Sequence, residues 1–219
     1  MNQTQINSLV LASVLSAPSL LAGTNGFYVP SFRGASGTDV SGWDRFTSGA
    51  TIANLPDLLR STTGTRATLT QLDPIGAVLG SGNLYVGFGT GNFNIAYNNS
   101  KPIAEINLQI RTLGTEMDYS GLRLNFTGAQ GAVSLPASGR ILNETLAQPA
   151  GKNISIDYTW TLSDPTVKAF NVTFKSSGEH LSLDAVTLDV RSQGAVPEPA
   201  AWALACLGVG ALSWSIRRR

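Results

Sequence analysis

A chain of 219 residues with 13% charged side chains, 15 basic against 14 acidic, has the length of one domain plus processing segments. Near-neutrality leaves no basic stripe to collect phosphates, which excludes nucleic acid as a partner. The only cysteine, Cys206, falls in the C-terminal apolar stretch, so the body must fold around a hydrophobic core without disulfides.

From the N-terminus, Ile6 to Ala22 is apolar and uncharged and ends in small residues, the pattern of a signal-peptide core. Phe27–Arg33 reads as a first strand, and Pro56–Arg60 as a short helix, with Pro in the first turn and Asp57 suited to a helix start. Arg66–Leu72 reads as a strand. Leu84, Val86 and Phe88 share one face, and Phe93, Ile95 and Tyr97 another, with Gly89-Thr90-Gly91-Asn92 as a hairpin loop between them. Alternation continues through Ile106, Leu108 and Ile110, then Leu122, Leu124 and Phe126. Ile154, Ile156, Tyr158, Trp160 and Leu162 form the longest clean series, followed by Phe170, Val172 and Phe174. Between Leu183 and Val186 the apolar phase slips by one residue, which predicts a bulge at Asp184–Ala185.

Period-two patterning over nine or ten strands means one face buried and one wet. A single sheet of that size would leave its apolar face bare, so the expected fold is all-β, an antiparallel β-sandwich of jelly-roll type. Residues 1–22 then form the signal peptide, 23–195 the sandwich and 196–219 a processing tail.

That tail has three parts. Pro197, Glu198 and Pro199 keep the backbone extended and unpaired, as a protease requires of a strand entering its cleft. Ala200 to Ile216 follow without a charge, about 25 Å of helix and enough for a thin bilayer core. Arg217, Arg218 and Arg219 close the chain and hold that end in the cytoplasm. Motif, span and arginine cluster in this order resemble the PEP-CTERM sorting signal. The resemblance implies processing by exosortase, an integral-membrane cysteine protease. It also implies export, transient anchoring in the inner membrane, tail removal near Pro197–Pro199, and a destination at the cell surface or in a polysaccharide matrix.

Catalytic patterns are scarce. His180 is the only imidazole, no G-x-S-x-G elbow occurs, and the usual zinc constellations are missing. Glu116-Met117-Asp118 is the one acid pair suited to glycoside hydrolysis, with Ser120 where a third acid would stand. The leading expectation is therefore a non-enzymatic sandwich that binds extracellular polysaccharide or acts structurally. A glycoside hydrolase is the alternative. Trp43, Tyr85 and Tyr119 are the aromatics free to face a ligand, whereas Tyr158 and Trp160 belong to the core. The run Leu183 to Leu188 resembles the closing strand of jelly-roll carbohydrate-binding modules, which implies a role for Asp184 in holding a structural calcium. Asp39 and Asp44 would join it if the two ends of the body pair, and otherwise are solvated loop acids.

Overall fold

The computed structural model describes residues 27–61, 63–64, 66–137, 139–146 and 151–194; the expected signal peptide, 1–22, and the expected processing tail, 196–219, lie outside them. Among these residues no helix is long and apolar enough to cross a membrane.

Two sheets pack face to face. The larger, sheet A, runs β10 (Gly139–Leu146), β11 (Lys152–Thr161), β7 (Ile103–Gly114), β13 (Leu181–Ser192), β1 (Thr38–Trp43), β2 (Leu58–Ser61). Two short strands, β5 (Leu84–Val86) and β4 (Gly76–Val78), extend it from the start of β13. Sheet B runs β3 (Thr68–Gln71), β6 (Asn92–Asn98), β12 (Ala169–Lys175), β8 (Arg123–Gly128), β9 (Gly131–Pro136). Every pairing is antiparallel. The chain passes between the sheets repeatedly, from β6 to β7, from β7 to β8 and from β12 to β13.

The inward rows follow the alternation. Ile106, Leu108 and Ile110 on β7 stand beside Val190, Leu188 and Val186 on β13 and Trp160, Tyr158 and Ile156 on β11. Sheet B answers with aromatic pairs in register. Phe93 stacks on Phe174 at 5.0 Å between ring centroids, and Tyr97 on Phe170 at 5.2 Å. The bulge falls where the phase slips, between Leu183 and Ala185.

Four expectations change. Thirteen strands, rather than nine or ten, occur among the described residues. Pro56–Arg60 does not form a helix. Leu58–Ser61 pairs with β1, and Gly42 leaves just the room Leu58 fills, since a Cβ there would stand 3.0 Å from Leu58 Cδ2. Gly89–Asn92 is no hairpin, because β5 belongs to sheet A and β6 to sheet B; Phe88 accordingly swings out and is 79% exposed. Phe27–Arg33 is not a strand either.

Residues 27–37 instead cross the outer face of sheet A as an irregular strap. Gln109 holds its backbone from both sides: Tyr28 N donates to Oε1 at 2.9 Å, and Nε2 donates to Tyr28 O at 3.0 Å. The Tyr28 hydroxyl donates to Asp157 at 3.2 Å and accepts from Asn107 at 2.8 Å. Arg33 Nε and Nη2 donate to the two Asp189 oxygens at 2.5 and 2.6 Å. Arg140 lies over the Tyr28 ring and Arg191 over Phe32. Side chains that should be wet by alternation, Asn107, Gln109, Asp157 and Asp189, are therefore buried.

The Arg33 and Asp189 side chains are 4% and 0% exposed. Removing one partner of such a pair leaves a buried charge uncompensated. Arg33→Ala should cost about 3–5 kcal/mol in a urea or thermal melt. A loss as small as that of a surface pair would show that the strap does not seal the face.

Candidate functional site

The two outer faces of the sandwich differ in kind. The strap roofs the middle of sheet A, over β11, β7 and β13. Sheet B presents its alternate residues outward in two rows, each five strands wide. Thr68, Ala96, Asn171, Asn125 and Ser134 are neighbours in one row. Thr70, Asn94, Thr173, Arg123 and Pro136 are neighbours in the next. At about 4.8 Å between strands the plane is roughly 19 Å wide.

Neighbouring groups order one another. Asn125 Nδ2 donates to Thr173 Oγ1 at 3.1 Å, and Asn94 Nδ2 to Asn171 Oδ1 at 3.4 Å. Each amide and hydroxyl still has capacity to donate or accept outward. Over β12, β8 and β9 the plane opens into a groove of about 600 Å³, lined by Asn125, Thr127, Ser134 and Asn171 together with the apolar Phe126, Ala132, Val133, Ala169 and Phe170, with Thr166 and Lys168 at its edge. No member of the two rows is aromatic. Sequence reasoning passed this face over while seeking exposed rings; its signal was the Asn-x-Ser/Thr triplets at Asn125 and Asn171, which lie side by side on it.

The expected ligand-facing aromatics do not form a platform. Trp43 is fully buried, its indole donating to Asn54 O at 3.0 Å, because β1 carries it on the inward face. Tyr119 packs against the core and donates to Glu116 Oε2 at 2.9 Å. Tyr85 is half-buried on the outer side of β5, stacked on His180 with its hydroxyl 2.8 Å from Nδ1.

The two ends of the body do pair, β1 against β13, but the three aspartates are not brought together. Asp39 points inward and accepts from Ser61 Oγ at 2.7 Å, Thr63 Oγ1 at 2.7 Å, Thr63 N at 3.2 Å and Tyr97 Oη at 2.6 Å. Asp184 sits at the bulge, paired with Arg111 and accepting from Asn83 at 2.8 Å. Asp44 is exposed beside the loop of Asp57. Among the described residues no three His, Cys, Asp or Glu side chains are grouped to hold a metal ion.

Glu116 and Asp118 line a separate depression at the far end of the sandwich. Gly114 and Gly151 meet there so closely that a Cβ on Gly151 would stand 2.5 Å from Gly114 Cα. Lys152 Nζ bridges Glu116 at 2.7 Å and Glu144 at 2.9 Å. The hydrogen bond from Lys152, then that from Tyr119, holds the Glu116 carboxyl below its ordinary range. Ser120, expected as the stand-in for a third acid, donates to Asp118 at 2.6 Å and, with Lys175, lowers that carboxyl too. A glycosidase acid must stay protonated near neutrality, the opposite shift.

The residues of the expected tail, Pro197, Glu198, Pro199 and Arg217 to Arg219, lie outside the described region, and sequence comparison bears on the tail as a whole. Residues 195–219 match the PEP-CTERM protein-sorting motif. The chain carries a PEP-CTERM sorting signal. It is thus an exported protein sorted by exosortase, with an all-β two-sheet sandwich as its body. No curated protein matches it. Among solved structures, the enzymatically active domain of bacteriophage CBA120 tailspike protein 4 aligns over 69% of this chain and 19% of its own length. Identity is 11% and the TM-score 0.28, a likeness that carries no functional inference.

The Glu116 contribution to stability exists only while its carboxyl is ionised. Its folded-state pKa lies below the unfolded value, so the contribution is present at neutral pH and fades as acid titrates the folded group. Both partners are partly exposed, so Glu116→Gln should cost about 1 kcal/mol or less at pH 7. In thermal melts that difference should begin to shrink as the pH falls through the ordinary carboxylate range and vanish only in stronger acid, once the folded carboxyl itself is protonated. An undiminished difference in acid would show that the cluster does not hold Glu116 ionised.

Proposed function

We propose that this PEP-CTERM protein is a non-catalytic binding protein of the extracellular polysaccharide matrix, and that the outer face of sheet B is its contact surface. The observation that carries the reading is the inequality of the two faces. One is closed by the protein's own strap, while the other is a plane of amides and hydroxyls with outward capacity. Hydroxyl-rich chains are matched by such groups through multiple, individually modest hydrogen bonds. The strand order supports a jelly-roll reading, since β1, β13, β7 and β11 of one sheet oppose β6, β12, β8 and β9 of the other.

After export the tail anchors the precursor in the inner membrane, exosortase removes it, and the sandwich is released to the cell surface or matrix. A non-catalytic role is supported by the state of the acids, each tied to a cation or its own turn in the charged form. A structural calcium draws no comparable support from the placement of Asp39, Asp44 and Asp184.

Affinity electrophoresis of the exported protein through gels containing purified exopolymer tests the reading. Wild type should be retarded. Asn125→Ala with Asn171→Ala should weaken binding roughly tenfold, two hydrogen bonds at about 0.5–1.5 kcal/mol each. Retardation unchanged by the double substitution would remove sheet B as the site. No retardation in any matrix glycan would remove polysaccharide binding.

A further inference from the structure

In the sandwich the C-terminus leaves from a fixed point. Ser192 N donates to Gly37 O at 2.8 Å, and its hydroxyl accepts from Asn99 at 3.0 Å. Gln193 N donates to Pro102 O at 2.8 Å, while its side-chain amide donates to Ile103 O at 3.2 Å and Asp164 O at 3.3 Å. The chain is thus riveted to one end of the sandwich as far as residue 193. The apolar span of the tail begins at Ala200. At the ~3.6 Å ceiling for an extended residue, the stretch between reaches at most about 25 Å. The folded body of the anchored precursor cannot stand farther off than that.

The two ends of the sandwich also differ in charge. Around the exit, Lys101 and Lys168 are exposed and have no carboxylate partner among the described residues. Asp164 nearby, held ionised by Thr166 N, Thr166 Oγ1 and Ala129 N, offsets one of the two lysines and leaves a net positive charge among these three groups. The far end carries Glu116, Asp118, Glu144 and Glu179 against Lys152, Lys175 and Arg123, whose guanidinium donates to Ser120 O beside Asp118. Facing an anionic surface, such a body is drawn exit end first, with the charges acting over about 10 Å.

We infer that the anchored precursor stands end-on upon the anionic phospholipid surface of the inner membrane, the Lys101–Lys168 end down and the Glu116–Lys152–Glu144 end outward. The strand axis is then upright, as β13 alone is about 40 Å long. This rests on the tail acting as an anchor and is independent of any sugar binding.

Energy transfer to a headgroup acceptor in vesicles tests it on the full chain with Cys206→Ser, labelled at Ser100→Cys or at Glu179→Cys. On phosphatidylglycerol-containing vesicles, transfer should be strong from position 100 and lost from position 179. Equal transfer from both ends, or the reverse order, overturns the end-on stance. Adding Lys101→Glu and Lys168→Glu should abolish the difference on phosphatidylglycerol vesicles and leave it unchanged on phosphatidylcholine alone. A difference that survives both reversals overturns the assignment of the lysines. Failure of the chain to float with vesicles overturns the anchor itself and leaves the polysaccharide reading standing.

Discussion

The Arg33–Asp189 pair is the contact on which the organisation of this molecule depends. Asp189 stands on the central strand of sheet A, on the side that alternation assigns to solvent, and is completely buried there. A carboxylate in that position is tolerable only with a partner that satisfies both oxygens, which the Arg33 fork provides. Because Arg33 arrives on the strap, pairing the charge and closing the face are one event. Asn107, Gln109, Asp157 and Tyr28 complete a polar layer that shields it from water. The centre of sheet A is thereby closed while the centre of sheet B stays open to solvent, and the functional reading follows from that difference.

The inward half of the fold was legible in the sequence because period-two alternation reports one buried face directly. Ile106, Leu108, Ile110, Tyr158 and Trp160 are all core residues. The bulge was legible for the same reason, as a phase slip must be absorbed somewhere. What alternation cannot report is burial of the second face. β1 reads Thr-Asp-Val-Ser-Gly-Trp and is buried at every position, so its sequence shows no period at all. Trp43 looked free in a polar, Gly-flanked stretch, but its strand register turns it inward beneath the loop of Asn54. Asn107 and Gln109 owe their burial to residues about 80 positions away, a relation no local pattern encodes.

The site was less legible than the fold. A search for sugar-binding residues looks first for flat exposed rings, and of the three expected here Trp43 is in the core while Tyr85 and Tyr119 are tied to His180 and Glu116; the exposed ring is Phe88, which alternation had assigned to a buried face. The open face is made of Asn, Thr and Ser, which in sequence are indistinguishable from ordinary strand surface. Only the cross-strand register, which sets Asn171 beside Asn125 and Thr173 beside Asn94, turns scattered residues into a continuous plane. The sorting motif is the reverse case, readable from order and spacing, and the match over residues 195–219 agrees that it is there.

Amide hydrogen exchange with and without bound exopolysaccharide tests the central claim, that the roofed face is structural and the open face is where ligand lands. Ligand should add protection on β6, β12 and β8 while leaving residues 27–37 and β7 as slow to exchange as before. Added protection confined to the strap, or exchange there already fast in the free protein, would contradict it.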